Sequence, residues 1–137
     1  MPYLSIQFYR IVEDNPVDYI LIAHTLKETC RVIDWCKYAN VALEKVKLNK
    51  YDVIILDFIL PEFDGIELLR CIRQIGITTP AIFVSGIEDK EHIKKAMAAG
   101  AKCFINKRLI IKEKNSLIQC VKDINFTHIS HIDDDNL

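Results

Sequence analysis

Long apolar runs are missing from this 137-residue chain. None approaches the roughly 20 residues that cross a bilayer. The start, Met1-Pro2-Tyr3-Leu4-Ser5, has no basic segment leading into an apolar one, so neither a membrane span nor a secretory signal is expected. An excess of one charge sign is missing too. Eighteen Lys and Arg stand against 19 Asp and Glu, a net charge of -1, which offers no footprint for nucleic acid or a membrane surface. Cys30, Cys36, Cys71, Cys103 and Cys120 contain no CxxC pair, which speaks against zinc and dithiol motifs. Scattered among apolar neighbours, they read as reduced core thiols in a cytoplasmic protein. There is no internal repeat and no linker that would mark a second domain.

What is present suits one ordinary globular domain. The chain is 50% hydrophobic and 27% charged, and its length buries a core without staples. Strand-like and helix-like segments alternate. Strands are expected at Ile6 to Val12, Val32 to Cys36, Val53 to Leu56, Ala81 to Ser85 and Cys103 to Ile105. The first helix starts at Asn15-Pro16, with Asn15 at the N-cap, Pro16 at the first helical position and Asp18 favouring the dipole. Asn40 is expected to cap a second helix that turns Leu43 and Val46 inward. Pro61 to Gly65 reads as a turn before a third helix carrying Ile66, Leu69 and Ile72. A fourth helix runs from about Glu88 to Ala99, where Gly100 can take the left-handed position. A fifth, around Lys114 to Ile124, buries Leu117, Val121 and Ile124. Such alternation implies right-handed crossovers and a parallel sheet covered on both faces. The domain is expected over 1–125. Residues 126–137, with His128, His131 and Asp133-Asp134-Asp135, read as a polar acidic tail, expected to be disordered; metal binding there is not expected.

Parallel sheets bind ligands at the carboxyl ends of their strands. Glu13 and Asp14 follow the first strand, Asp57 the third, Lys107 the fifth, and Ser85 ends the fourth. Each has a plainer reading, as helix-start acids, turn or helix caps, or a solvated charge. Together they form a chemically coherent set. Three converging carboxylates repel one another and suit a hard divalent cation such as Mg2+. A carboxylate beside it can act as nucleophile toward a phosphoryl group. Ser85 and Lys107 can stabilise the oxygens of that group.

"IVEDNPVDYIL", "VIILDFILPEFDG", "AIFVSG" and "AMAAGAKCFINK", in this order and spacing, resemble the receiver domain of two-component response regulators, over about residues 6 to 125. The resemblance implies a doubly wound, flavodoxin-like (βα)5 fold: three layers around a five-stranded parallel sheet of order 2-1-3-4-5. It implies that Asp57 is the phosphoacceptor, and that Mg2+ is held by Asp14, Asp57, the Ile59 backbone carbonyl and, mostly through water, Glu13. Ser85 and Lys107 would contact phosphoryl oxygens, and Ser85 and Phe104 would form the switch. The phosphoryl group would come from a histidine kinase or histidine phosphotransfer protein. An unknown downstream protein would dock on the face of the fourth helix, fifth strand and fifth helix. The only catalysis implied is the chain's own phosphorylation and the hydrolysis of its aspartyl phosphate.

Two positions depart from the family pattern. Arg108 follows Lys107 where proline is usual, and a cis bond before a non-proline residue costs about 2.5–4 kcal/mol. Ile59 and Ile87 flank the site with apolar side chains, which implies slow loss of the phosphoryl group; unchanged lifetimes in Ile59→Asn and Ile87→Glu would refute that. Alternatives are a phosphorylation-independent pseudo-receiver and an aspartyl-nucleophile phosphohydrolase. The hydrolase would commonly carry a second acid two residues after the nucleophile, where this chain has Ile59. A flavin protein is disfavoured because Glu13-Asp14 stands where a phosphate loop would be.

Overall fold

The computed structural model describes residues 8–61, 63–86, 89–113 and 115–124, with the side chains of Phe8, Tyr9 and Ile111 set aside. The acidic tail, Ile87 and the start of the first strand lie outside these residues. The order is β1 (Phe8–Val12), α1 (Pro16–Leu26), β2 (Val32–Cys36), α2 (Ala39–Leu48), β3 (Val53–Leu56), β4 (Ile59–Leu60), β5 (Phe63–Asp64), α3 (Gly65–Gln74), β6 (Ala81–Ser85), α4 (Lys90–Ala98), β7 (Cys103–Asn106) and α5 (Lys107–Lys112). A last helix, α6, spans 115–124.

The main sheet runs β2-β1-β3-β6-β7, all parallel. With the small β4–β5 hairpin set apart, this is the expected doubly wound order. Because side chains alternate along a strand, the apolar run of β3 serves both faces. Ile54 and Leu56 join Phe83 and the inward sides of α2, α3 and α4. Val53 and Ile55 join Ile11, Ile22, Leu26, Leu117 and Val121 on the opposite face. Each such side chain, fully buried, is worth roughly 1.5–3 kcal/mol.

Four local expectations are corrected. The turn after β3 is an antiparallel hairpin, with Ile59 paired to Asp64 and Leu60 to Phe63. Asn40 does not cap α2, which begins one residue earlier with Tyr38 at the cap position and no side-chain cap; burial of Ala39 and Ala42 against the core sets the start instead. A short helix, α5, begins directly at Lys107, capped by the Asn106 side chain, which accepts from Arg108 N. Cys103 and Cys120 are joined in a disulfide, because the strand places one and the helix the other in the same core cluster. Cys30, Cys36 and Cys71 are free. Other details stand: Asn15 accepts from Val17 N and Asp18 N at the start of α1, and Gly100 has φ +104°.

Candidate functional site

The carboxyl edge of the sheet brings the acids together. Backbone hydrogen bonds continue the sheet past the strand ends: Glu13 N donates to Cys36 O, and Asp57 N to Val12 O. These bonds fix Glu13 and Asp57 side by side. Trp35 Nε1 donates to Glu13 O at 2.7 Å, and the Trp35 ring stacks on Tyr19 of α1 at 4.3 Å between centroids. The Asp57 loop is held from below by Gly65, whose N–H donates to Phe58 O at 2.7 Å. A Cβ at Gly65 would fall 1.9 Å from Asp57 O, so only glycine permits this approach.

Glu13, Asp14 and Asp57 each place a carboxylate oxygen within 4.8 Å of the others. Glu13 is 1% exposed and Asp57 6%, whereas Asp14 faces solvent. Lys107 Nζ lies 2.8 Å from Asp57 Oδ2, 2.8 Å from Asp18 Oδ2 and 2.9 Å from Glu13 Oε2. Its hydrogen bonds go to Asp18 and Asp57. Glu13 Oε2 is at ion-pair distance yet receives no hydrogen bond, although it is buried. Three carboxylates therefore share one ammonium. Burial pushes the Glu13 carboxyl up to about 7; the Lys107 contact opposes the rise and the Asp57 charge adds to it. Burial alone would lower the Lys107 pKa, but its contacts with Asp18, Asp57 and Glu13 outweigh that and hold it above the usual lysine value.

This donor set fits a hard divalent cation. All three clustered ligands offer carboxylate oxygens, and the buried Glu13 Oε2 is short of a partner. Ile59 N donates to Asp57 Oδ1 at 3.4 Å, so the Ile59 backbone lies beside that carboxylate. The Ile59 side chain is 62% exposed. Ser85 is buried at the end of β6, in register with Asn106, the residue before Lys107. Phe104 is half-buried and already faces inward, stacked on Phe58 at 5.3 Å; Phe58 also packs against Phe83 and His92.

The sequence matches the response regulator receiver domain family over residues 10–122. The chain belongs to that family. Among relatives of this receiver domain, two-component response regulator ORR41 of Oryza sativa subsp. japonica is 32% identical over 112 residues, covering 79% of this chain and 87% of that protein. The transcriptional activator protein IrlR of Burkholderia pseudomallei is 31% identical over 97 residues, 71% of this chain. The receiver domain spans only 42% of that relative's length. Among solved structures, the signal receiver domain of a histidine kinase from Syntrophus aciditrophicus aligns with TM-score 0.76 at 27% identity, covering 88% of this chain and 91% of that one. Receiver domains bind Mg2+ in an acidic pocket and act in two-component phosphorelays. No helix among the described residues is long and apolar enough to cross a membrane.

The receiver domain's expected site residues Glu13, Asp14, Asp57 and Lys107 converge, and Ser85 and Phe104 lie on neighbouring strands. Asp18 was read only as a dipole acid. Its signal was position: the first turn of α1 starts directly after the acids that follow β1, at the same edge of the sheet.

Proposed function

We propose that this receiver domain accepts a phosphoryl group on Asp57 and signals by protein–protein contact. One observation carries the reading: a buried carboxylate at the sheet's carboxyl edge, bonded to a half-buried ammonium and grouped with two further acids. An Asp57 carboxylate oxygen attacks the phosphorus of a phosphohistidine on a histidine kinase or histidine phosphotransfer protein. The new P–O bond forms as the P–N bond breaks, and the imidazole leaves with the electron pair. Lys107 shifts a hydrogen bond from Asp57 to a phosphoryl oxygen, and the Ser85 hydroxyl donates to another. Glu13, Asp14, Asp57 and the Ile59 carbonyl would hold Mg2+, which when bound offsets the negative charge of the acids and of the entering group.

The output surface in this reading is the face of α4, β7 and α6, toward a downstream protein of unknown identity. The domain is assigned to 1–125, with 126–137 as an appended tail. Ile59 stands where a hydrolase of external phosphates would carry its second acid, so turnover of free substrates is not proposed. The test is incubation with phosphoramidate and Mg2+, read by intact mass. One phosphoryl adduct in wild type, absent in Asp57→Ala, supports the reading. No adduct under conditions that label an ordinary receiver favours a pseudo-receiver.

A further inference from the structure

One carboxylate at the site stands outside the acid group that would hold the cation. Asp18 lies in the first turn of α1 and accepts from Lys107 Nζ at 2.8 Å, across 89 residues of sequence. Its side chain is 28% exposed, against 1% for Glu13 and 8% for Asp57. Asp18 therefore approaches the ammonium from the solvent side, and the other two from inside. An ammonium has three N–H groups, and three carboxylates surround this one. Two of its N–H groups bond Asp18 and Asp57, and Glu13 Oε2 sits 2.9 Å away, so a phosphoryl oxygen must compete with three carboxylates for Lys107. Phosphorylation turns one Asp57 oxygen into the bridging oxygen of an acyl phosphate and weakens Asp57's hold. Asp18 is chemically unchanged and keeps its own.

We propose that Asp18 is a positioning residue that acts through Lys107, holding the ammonium toward α1 and dividing its charge. The proposal rests on the receiver reading above. With Asp18 neutralised, an undivided Lys107 faces the incoming phosphodonor, and one negative charge leaves the rim. An anionic donor then binds more tightly. Lys107 also settles on Glu13 and Asp57, whose oxygens a cation needs, so Mg2+ binds more weakly. These two shifts have opposite signs. An ion pair that merely pins α1 would change stability alone and would not separate them.

The experiment uses the full chain as wild type, Asp18→Asn, Lys107→Ala and the double variant. Mg2+ is titrated against Trp35 fluorescence, since the single Trp is bonded to the Glu13 carbonyl. Phosphoramidate is titrated at saturating Mg2+, with initial rates of adduct formation read by intact mass. Asp18→Asn is expected to lower the half-saturating donor concentration roughly three- to tenfold, with the maximal rate within about twofold. It is expected to raise the half-saturating Mg2+ concentration at least about threefold. In the Lys107→Ala background the Asp18→Asn effect on Mg2+ should shrink to within about twofold. Unchanged constants, both constants weakening together, or an equal effect without Lys107 would each overturn the proposal. If wild type forms no Asp57-dependent adduct, the receiver reading fails. The Mg2+ cycle then decides the role of Asp18 alone.

Discussion

Strand β1 and the residue just past its end carry two buried charged groups that look alike and do different things. Arg10 is 3% exposed and Glu13 1%, and each leaves one buried atom without a hydrogen bond, Nε and Oε2. Arg10 sits mid-strand, its guanidinium 5.3 Å from the Tyr51 ring centroid. Tyr51 in turn donates to Asp34 Oδ2 at 3.1 Å. One cation, one ring and one acid make a nearly balanced group. Glu13 lies past the strand end, where it, Asp18 and Asp57 surround a single Lys107 and Asp14 adds a further acid beside Glu13 and Asp57. A buried polar atom without a partner is thus no functional signal by itself. A surplus of one charge at the open edge of a parallel sheet is one.

The sharpest way to break this contrast is to delete the cation from each group. Lys107→Ala should lower the rate of phosphoryl loading about 100-fold, the usual cost of removing a donor aimed at developing charge. Arg10→Ala should leave loading within about twofold and lower stability by about 2 kcal/mol, through lost packing and cation–π contact. Phosphoramidate loading read by mass, alongside urea unfolding, checks both. A folded Arg10→Ala that does not load would erase the distinction.

Proton linkage separates the groups next. Burial pushes the Glu13 carboxyl up to about 7 in the folded chain, from an ordinary value of 4.5. Between these values the folded state holds a proton that the unfolded state has lost, so stability falls as pH rises from about 4.5 through 7. The fall attributable to Glu13 is on the order of 2–3 kcal/mol. It is read as the difference between wild type and Glu13→Gln in urea unfolding with a chelator present. A difference that is flat with pH would show that Glu13 is ionised at no cost.

The same contrast explains what was legible in the sequence. The strands Val32 to Cys36, Val53 to Leu56 and Ala81 to Ser85 were bounded correctly; for the last two the reason is that a parallel sheet buried on both faces demands short apolar runs. Asp57, Glu13, Asp14 and Lys107 were legible because they follow the ends of β3, β1 and β7, and a strand end is a fixed place in this fold. Asp18 was missed because a helix-start acid has a sufficient local explanation, and its partner is 89 residues away. The hairpin after β3 and the Cys103–Cys120 bond were missed for a related reason. Two-residue strands are too short for periodicity, and a strand cysteine meeting a helix cysteine depends on packing. Asn40 failed because burial of Ala39 outweighs a cap worth roughly 1 kcal/mol.

The finest test of the contrast is Tyr51→Phe. It keeps the ring beneath Arg10 and removes only the hydroxyl that donates to Asp34. A single hydrogen bond of this kind is worth about 1 kcal/mol net, and Asp34 is half-buried, so solvent can replace the lost donor. The expected result is a loss of about 1 kcal/mol in urea unfolding, with phosphoryl loading and Mg2+ affinity unchanged. A loss above about 3 kcal/mol would mean that the Arg10 group is as delicately poised as the edge site. A change in Mg2+ affinity would mean that β1 couples the two groups, three residues apart along the chain, and that Arg10 belongs to the site after all.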